Sequence, residues 1–220
     1  MKAIKGFLFD LDGVIVDTAK FHFKAWHRLA SELDIPFTEE QNEELKGVSR
    51  VESLQKILDW GGKSLSADEF DRMMGLKNEW YLEFVREMNS DEALPGAVEF
   101  LEEAQKQGLA IGLGSASKNA VLILDLLGIK HYFKTIIDGN LITKSKPDPQ
   151  VFDMGAKALG LDPESTVVFE DSLAGIEAAL RGGFRRVGIG SADILRDAEI
   201  VVPNLAQMSP AELINQLNQI

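Results

Sequence analysis

Cysteine is missing from all 220 residues, which excludes disulfides, thiolate zinc sites and thiol nucleophiles. Positive charge is in deficit: 23 Lys and Arg stand against 35 Asp and Glu, a net charge of −12 with a pI near 4.7. General nucleic-acid binding needs a basic surface and is therefore not expected. If the ligand is instead an anion, the basic residues that hold it must act locally. No apolar stretch approaches the ~20 residues that cross a bilayer, so no membrane partner is expected. Lys2 and Lys5 precede only a short apolar run before Asp10, which is not a secretory-signal pattern. A reducing cytoplasm suits these absences. Internal repeats and low-complexity tracts are also lacking. Gly62-Lys63-Ser64 resembles the tail of a nucleotide P-loop, yet Ile57 stands where the first glycine is required, between helices.

What is present is ordinary in bulk, with 45% hydrophobic and 26% charged residues, and long enough for one large core or two modest ones. The informative stretch is Gly6-Phe7-Leu8-Phe9-Asp10-Leu11-Asp12-Gly13. Residues 4–9 form an apolar run without a polar face, as in a buried strand of a parallel sheet. Side chains two apart share a side of a strand, so Asp10 and Asp12 face one way and Leu11 the other. Two such carboxylates repel each other, and a hard cation that takes oxygen ligands would relieve the repulsion. The duller reading is a solvated Asp-Gly turn.

From about residue 17 to 90 the spacing is helical throughout. Phe21, Ala25, Trp26, Leu29, Ala30 and Leu33 mark one amphipathic face. Thr38 with Gln41 predicts a capping box for a helix reaching Leu45, and Ser66 with Glu69 predicts another for a longer helix. Between them a helix over 51–58 ends at Gly61-Gly62. Beyond Pro95 strands and helices alternate. Strands are expected at 109–113, 135–137, 166–169, 186–189 and, at the sheet edge, 199–202. Helices are expected at about 97–106, 118–127, after Asp148-Pro149 with the proline at the first helical position, 172–180 and 209–218. Such alternation implies a parallel sheet with right-handed crossovers. The first strand must join it, which makes the helical block an insertion with hinges near 15–18 and 88–94.

Ligands of parallel α/β sheets bind beyond the carboxyl ends of the strands. Those ends carry Asp10 and Asp12, then Gly114 to Asn119, then Lys144-Ser145-Lys146-Pro147, then Glu170-Asp171. Singly, each has a plain explanation. Ser115 and Ser117 can cap a helix, Lys146 can be a surface lysine, and Glu170-Asp171 can complement a helix dipole. Together, carboxylates suited to Mg2+ and a helix N-terminus with hydroxyls suited to phosphate point to phosphoryl transfer.

Asp10-Leu11-Asp12-Gly13-Val14, Ser115, Lys146-Pro147 and Glu170-Asp171-Ser172 resemble, in order, the four motifs of the haloacid dehalogenase-like superfamily. The fold class implied is α/β, a Rossmann-like parallel sheet core (1–16 and 91–220) with an inserted helical cap domain (17–90). Leu45-Lys46-Gly47-Val48-Ser49-Arg50, Ser53 to Leu58, Ser115-Ala116-Ser117-Lys118-Asn119, and Thr18 with His22 further resemble the β-phosphoglucomutase family within it. That resemblance implies interconversion of β-D-glucose 1-phosphate and D-glucose 6-phosphate through β-D-glucose 1,6-bisphosphate, which would serve as intermediate and activator. It makes Asp10 the nucleophile, phosphorylated in turn, and Asp12 the general acid and base. Mg2+ would be held by Asp10, the Asp12 carbonyl, Asp171 and Glu170. Because neighbouring side chains on a strand diverge, one of the last two is the stronger expectation as a direct ligand. Ser115 and Lys146 would hold the moving phosphoryl group. Arg50, with backbone around Gly47, Val48 and Ser49, would grip the other phosphate, completed by Ala116, Ser117, Lys118 and Asn119. Thr18, His22, Ser53 and Lys77 belong to the implied substrate face, His22 and Lys77 reporting closure to Asp12. Trp26 joins that face, although with Trp60 and Trp80 it also reads as core or rim packing. His27 and His131 read as structural. The partner expected is a small sugar phosphate, and the chain a monomer. A sugar-phosphate phosphatase on the same scaffold is the alternative, and a non-catalytic phosphosugar-binding regulator a more distant one.

Overall fold

The computed structural model of the chain describes residues 2–220. Its first strand, β1 (Gly6–Phe9), is followed by four helices: α1 (Ala19–Glu32), α2 (Glu39–Glu43), α3 (Arg50–Trp60) and α4 (Ala67–Val85). Strands and helices then alternate as α5 (Ala97–Lys106), β2 (Ala110–Gly114), α6 (Ala120–Leu126), β3 (Thr135–Ile137), α7 (Gln150–Leu159), β4 (Thr166–Glu170) and α8 (Leu173–Arg181). The chain closes with β5 (Arg185–Ile189), β6 (Ile200–Val202) and α9 (Pro210–Leu217). All six strands pair in parallel, in the order β3-β2-β1-β4-β5-β6. This is the expected α/β class: a Rossmann-like sheet into which a helical cap is inserted after the first strand.

The period of two along β1 decides which core each residue joins. Phe7 and Phe9 face one side with Val167 and Phe169, against Phe100 of α5. Leu8 faces the other side with Val168, against α7 and α8. Because both faces are covered, none of the four β1 residues is polar, and all are buried. An aromatic cluster locks β1 to β4: the Phe9 and Phe169 rings stack at 4.4 Å, and Phe100 from α5 meets Phe169 edge-on at 5.4 Å.

Register carries this packing to the site. Phe9 lies level with Leu113 on one side and Phe169 on the other. The next residue of each strand is therefore Asp10, Gly114 and Glu170, in one row. Chain order runs outward from β1 through β2 to β3, then returns to β4 on the opposite side, so the topological switch falls between β1 and β4.

The segments that leave and re-enter the sheet are tied to each other. Val16 bridges Ala93 in antiparallel fashion, and Leu94 N–H donates to the Ile15 carbonyl at 2.9 Å. Above them α1 and α4 pack side by side, with Phe21 stacked on Phe84 at 5.8 Å. Both predicted capping boxes form, Thr38 with Gln41 and Ser66 with Glu69.

Several expected helix starts move by a residue or two, and two of them show the cause. The helix placed at about 118 begins at Ala120, since Ser115 and Ser117 use their hydroxyls in successive turns that delay it. Pro149 is the N-cap residue of α7 rather than its first helical residue. Asp148 Oδ1 instead accepts from Gln150 N–H at 3.0 Å from just outside the helix.

Phe169→Ala should cost about 3–5 kcal/mol of stability, since it empties the contact between β1, β4 and α5. Urea denaturation at unchanged m-value measures this, and a loss below ~1 kcal/mol would contradict the packing account.

Candidate active site

The row at the end of β1 is built around one ammonium group. Lys146 Nζ donates to Asp10 Oδ1 at 2.5 Å, to Glu170 Oε1 at 2.5 Å and to the Gly114 carbonyl at 3.1 Å. Three donors meet three acceptors, one from each of three adjacent strand ends. Glu170 has no exposed surface, and Lys146 has 3%. Burial alone would lower the Lys146 pKa, but Asp10 and Glu170 hold it above the usual lysine value. The second Glu170 oxygen accepts from the Ser172 amide at 3.1 Å and hydroxyl at 2.9 Å, while Ser172 caps α8. Lys146 and Glu170 thus stand behind the cavity wall and do not line the cavity.

In front of that wall lie Asp10, Asp12 and Asp171. Oxygens of Asp10, Glu170 and Asp171 come within 4.8 Å of one another. The two residues expected to diverge instead converge, because β4 ends at Glu170 and the alternation of an extended strand stops there. Desolvation, with Glu170 and Asp10 adding, pushes the Asp171 carboxyl well above its ordinary range. Desolvation likewise raises Asp10 to about 6, against the pull of Lys146. Three crowded carboxylates with hard oxygen donors and only part of their charge offset fit a divalent cation such as Mg2+. Gly13, with φ at +79°, admits Asp171: a Cβ there would lie 2.1 Å from Asp171 Oδ2.

Asp12 belongs to a different set of contacts. Its Oδ1 accepts from the hydroxyl of Thr18, the residue before α1. Desolvation pushes Asp12 up to about 8, with the Asp10 charge adding and Lys146 and Lys77 opposing. Asp12 can therefore hold a proton near neutrality. Thr18 is fully buried and supports Asp12 without lining the cavity. One turn along α1, His22 Nδ1 meets Lys77 Nζ at 2.8 Å. Burial, with the charge of Lys77 and then Arg50 adding, drives the His22 pKa well down, and burial and Arg50 do the same to Lys77. Trp26 is both packing and lining: it is 3% exposed, it faces the cavity, and Lys77 Nζ sits 4.4 Å above its ring.

The cavity, about 420 Å³, also has a cationic and amide-rich lining, with Gly47, Val48, Ser49, Arg50 and Ser53 coming from the insertion. Ser115, Ala116, Ser117, Lys118 and Asn119 line it from the sheet. Ser115 Oγ accepts from Ser117 N–H at 3.1 Å and Ser117 Oγ from Asn119 N–H at 3.3 Å. Each hydroxyl keeps its own O–H for an anion. The 138–140 turn braces this loop, with Gly139 N–H on the Ser117 carbonyl and Asn140 Nδ2 on that of Lys118.

The structure also brings in residues that sequence reasoning missed. Lys46 reaches Asp171 at 3.4 Å while pairing with Glu43 at 2.9 Å. Gly47 beside it, with φ at +71°, lies directly over the floor: a Cβ there would meet Ser172 Oγ at 3.0 Å. Asn78 and Tyr81 join Met74 and Lys77 in lining the cavity. Their spacing of three, four and seven along α4 was the available signal for that stripe.

Comparison with known proteins gives the family and the fold. The family described as haloacid dehalogenase-like hydrolase matches residues 4–183. The chain is 37% identical to the β-phosphoglucomutase of Bacillus subtilis, over 97% of this chain and 95% of that one. It superimposes on the crystal structure of β-phosphoglucomutase from Clostridium difficile with a TM-score of 0.95 and 39% identity, covering 98% of each. It is also 29% identical to the phosphorylated carbohydrates phosphatase of Thermotoga maritima, over 97% of this chain and 98% of that one.

Mg2+ should raise the melting temperature and a chelator should reverse the gain, which reaches about 2.7 kcal/mol at a hundredfold excess over Kd. Asp171→Asn should abolish that rise, yet leave the chelated protein no less stable, because it removes a carboxylate disfavoured by its neighbours. A variant with the full Mg2+ response would remove Asp171 from the metal set.

Proposed function

The chain belongs to the haloacid dehalogenase-like hydrolase family. From that premise we propose that it interconverts β-D-glucose 1-phosphate and D-glucose 6-phosphate, the reaction of a β-phosphoglucomutase. The observation that carries this reading is that two sets of groups line one cavity. Asp10, Asp12 and Asp171 form one, and Arg50 and Asn119, joined through Asn78, form the other with Ser117 and Lys118. A phosphatase needs one phosphoryl site and access for water. A mutase must hold a bisphosphorylated sugar in two orientations, and so needs a second anion site of similar quality.

In this reading, the phosphorylated Asp10 gives its phosphoryl group to the C6 hydroxyl of β-glucose 1-phosphate, and Asp12 takes the hydroxyl proton. The bisphosphate turns over, so that its C1 phosphate faces Asp10 and its C6 phosphate reaches Arg50. Asp10 then attacks the C1 phosphorus. Asp12 returns its proton to the departing C1 oxygen, leaving glucose 6-phosphate and the phosphorylated carboxylate. Ser115 donates to the moving group. Lys146 offsets the charge of Asp10 and Glu170 from behind. A Mg2+ ion held by Asp10, Glu170, Asp171 and the Asp12 carbonyl would neutralise the crowded carboxylates and the charge spread over the phosphoryl oxygens. Thr18, His22 and Lys77 link Asp12 to the inserted helices, so that its proton chemistry is assembled when the insertion lies over the sheet.

We further infer a core of 1–16 and 91–220 and a cap of 17–90. The tie between Ile15–Val16 and Ala93–Leu94 supports hinges where both segments cross. The same reading makes the chain a monomer of a reducing cytoplasm, in keeping with its lack of cysteine.

The test supplies protein and Mg2+ with β-D-glucose 1-phosphate and a trace of bisphosphate, following glucose 6-phosphate and free phosphate separately. Glucose 6-phosphate should appear with little free phosphate. Release of phosphate alone would favour the phosphatase activity named for the Thermotoga maritima relative, and absence of any turnover would favour a binding role. Asp10→Asn should abolish turnover with the fold retained. Arg50→Ala should reduce mutase turnover on the order of a hundredfold, as for the loss of a charged hydrogen bond, and affect simple phosphate-ester hydrolysis far less.

A further inference from the structure

Asn78 is the residue whose role remains to be explained. Its Oδ1 accepts from Arg50 Nη2 at 2.7 Å and from Asn119 Nδ2 at 3.0 Å. A single amide oxygen on α4 thereby joins α3 of the insertion to the loop beyond β2 of the sheet. We propose that Asn78 is a positioning residue of the second phosphate site, aligning Arg50 and Asn119 with a neutral acceptor before the anion arrives. The proposal rests on the two-site reading above and deepens it.

The neutrality of the acceptor is the central point. An arginine in a partly buried site such as this is ordinarily held by a carboxylate, which fixes the guanidinium but cancels its charge. Among the described residues Arg50 has no carboxylate partner: its hydrogen bond goes to Asn78. One of five guanidinium N–H groups is used, and the others remain for a ligand. Asn119 similarly keeps a second amide N–H. Two donors converging on one oxygen also fix which way the Asn78 amide points, since a flipped amide would set NH2 against both. The Asn78 nitrogen, free of protein acceptors among the described residues, becomes one more donor on the cavity wall that Asn78 lines. A carboxylate of the same shape would hold Arg50 at least as firmly, yet repel a phosphate. Charge and geometry are thus separable by substitution.

Binding of glucose 6-phosphate to the protein, measured by titration calorimetry with Mg2+ present, tests the proposal without requiring turnover. Asn78→Ala should weaken binding on the order of tenfold by releasing two donors. Asn78→Asp, nearly isosteric, should weaken it further, by about another tenfold, with the added loss shrinking as salt screens the new charge. Equal losses in the two variants, or wild-type affinity in Asn78→Asp, would reduce Asn78 to packing and overturn the proposal. Melting curves establish that each variant is folded. If wild type binds glucose 6-phosphate but does not make it from β-glucose 1-phosphate, the mutase reading falls while the affinity ranking still decides Asn78. A wild-type chain that binds no glucose 6-phosphate would overturn both.

Discussion

One ammonium group among clustered carboxylates is the constraint on which this structure turns. Asp10, Glu170 and Asp171 converge at the ends of two central strands, where burial penalises every charge. Lys146 meets two of them at 2.5 Å from the loop after β3. Removing one partner of such a buried pair costs about 3–5 kcal/mol, because the other charge is left uncompensated. The loop after β3, the register of β1 with β4 and the cap of α8 at Ser172 all serve that arrangement. One lysine does not neutralise three carboxylates. The remaining negative charge is what fits the cluster to a divalent cation, and Lys46 reaches it from the insertion to offset another part.

The rest of the molecule is organised by the opposite sign. The protein carries a net charge of −12, yet Arg50, Lys77 and Lys118 all face one cavity. Local placement outweighs global charge here, because interactions within a few ångströms of a poorly solvated wall are barely screened, whereas distant surface charges are. The insertion supplies Arg50 and Lys77, and the sheet supplies Lys118 and Asn119. The cationic lining is therefore drawn from both parts, and the same arrangement seats Gly47 over Ser172 and links Asp12 through Thr18 to α1.

Features set by short-range rules could be read in the sequence. The continuous apolar run of β1, the capping boxes at Thr38 and Ser66 and the strand-end placement of Asp10, Ser115 and Glu170 all follow from spacing within a few residues. The family motifs added roles to those positions. Two kinds of feature escaped. Where a hydroxyl or carboxylate had a choice of turns, the helix start shifted, as at Ala120 and Gln150. Where a contact joins remote segments, no local signal announced it. Lys46 with Asp171 and Asn78 with Arg50 and Asn119 are of this second kind, and Asn78 also lacks the charge that makes a residue conspicuous. Glu170 and Asp171 show a further limit, since alternation predicts divergence only while the strand continues.

In the proposed mutase the phosphorylated Asp10 is kept for a sugar hydroxyl rather than for water, because a second anion site and the overlying insertion hold the sugar in place. Partitioning in a single turnover tests it most directly. Protein labelled at Asp10 with radioactive phosphate would be mixed with β-D-glucose 1-phosphate, quenched on the millisecond scale, and the label traced. The account predicts that the label passes to bisphosphate and then to glucose 6-phosphate, far faster than it is released when sugar is withheld. Label appearing as free phosphate at the same rate with and without sugar would contradict it.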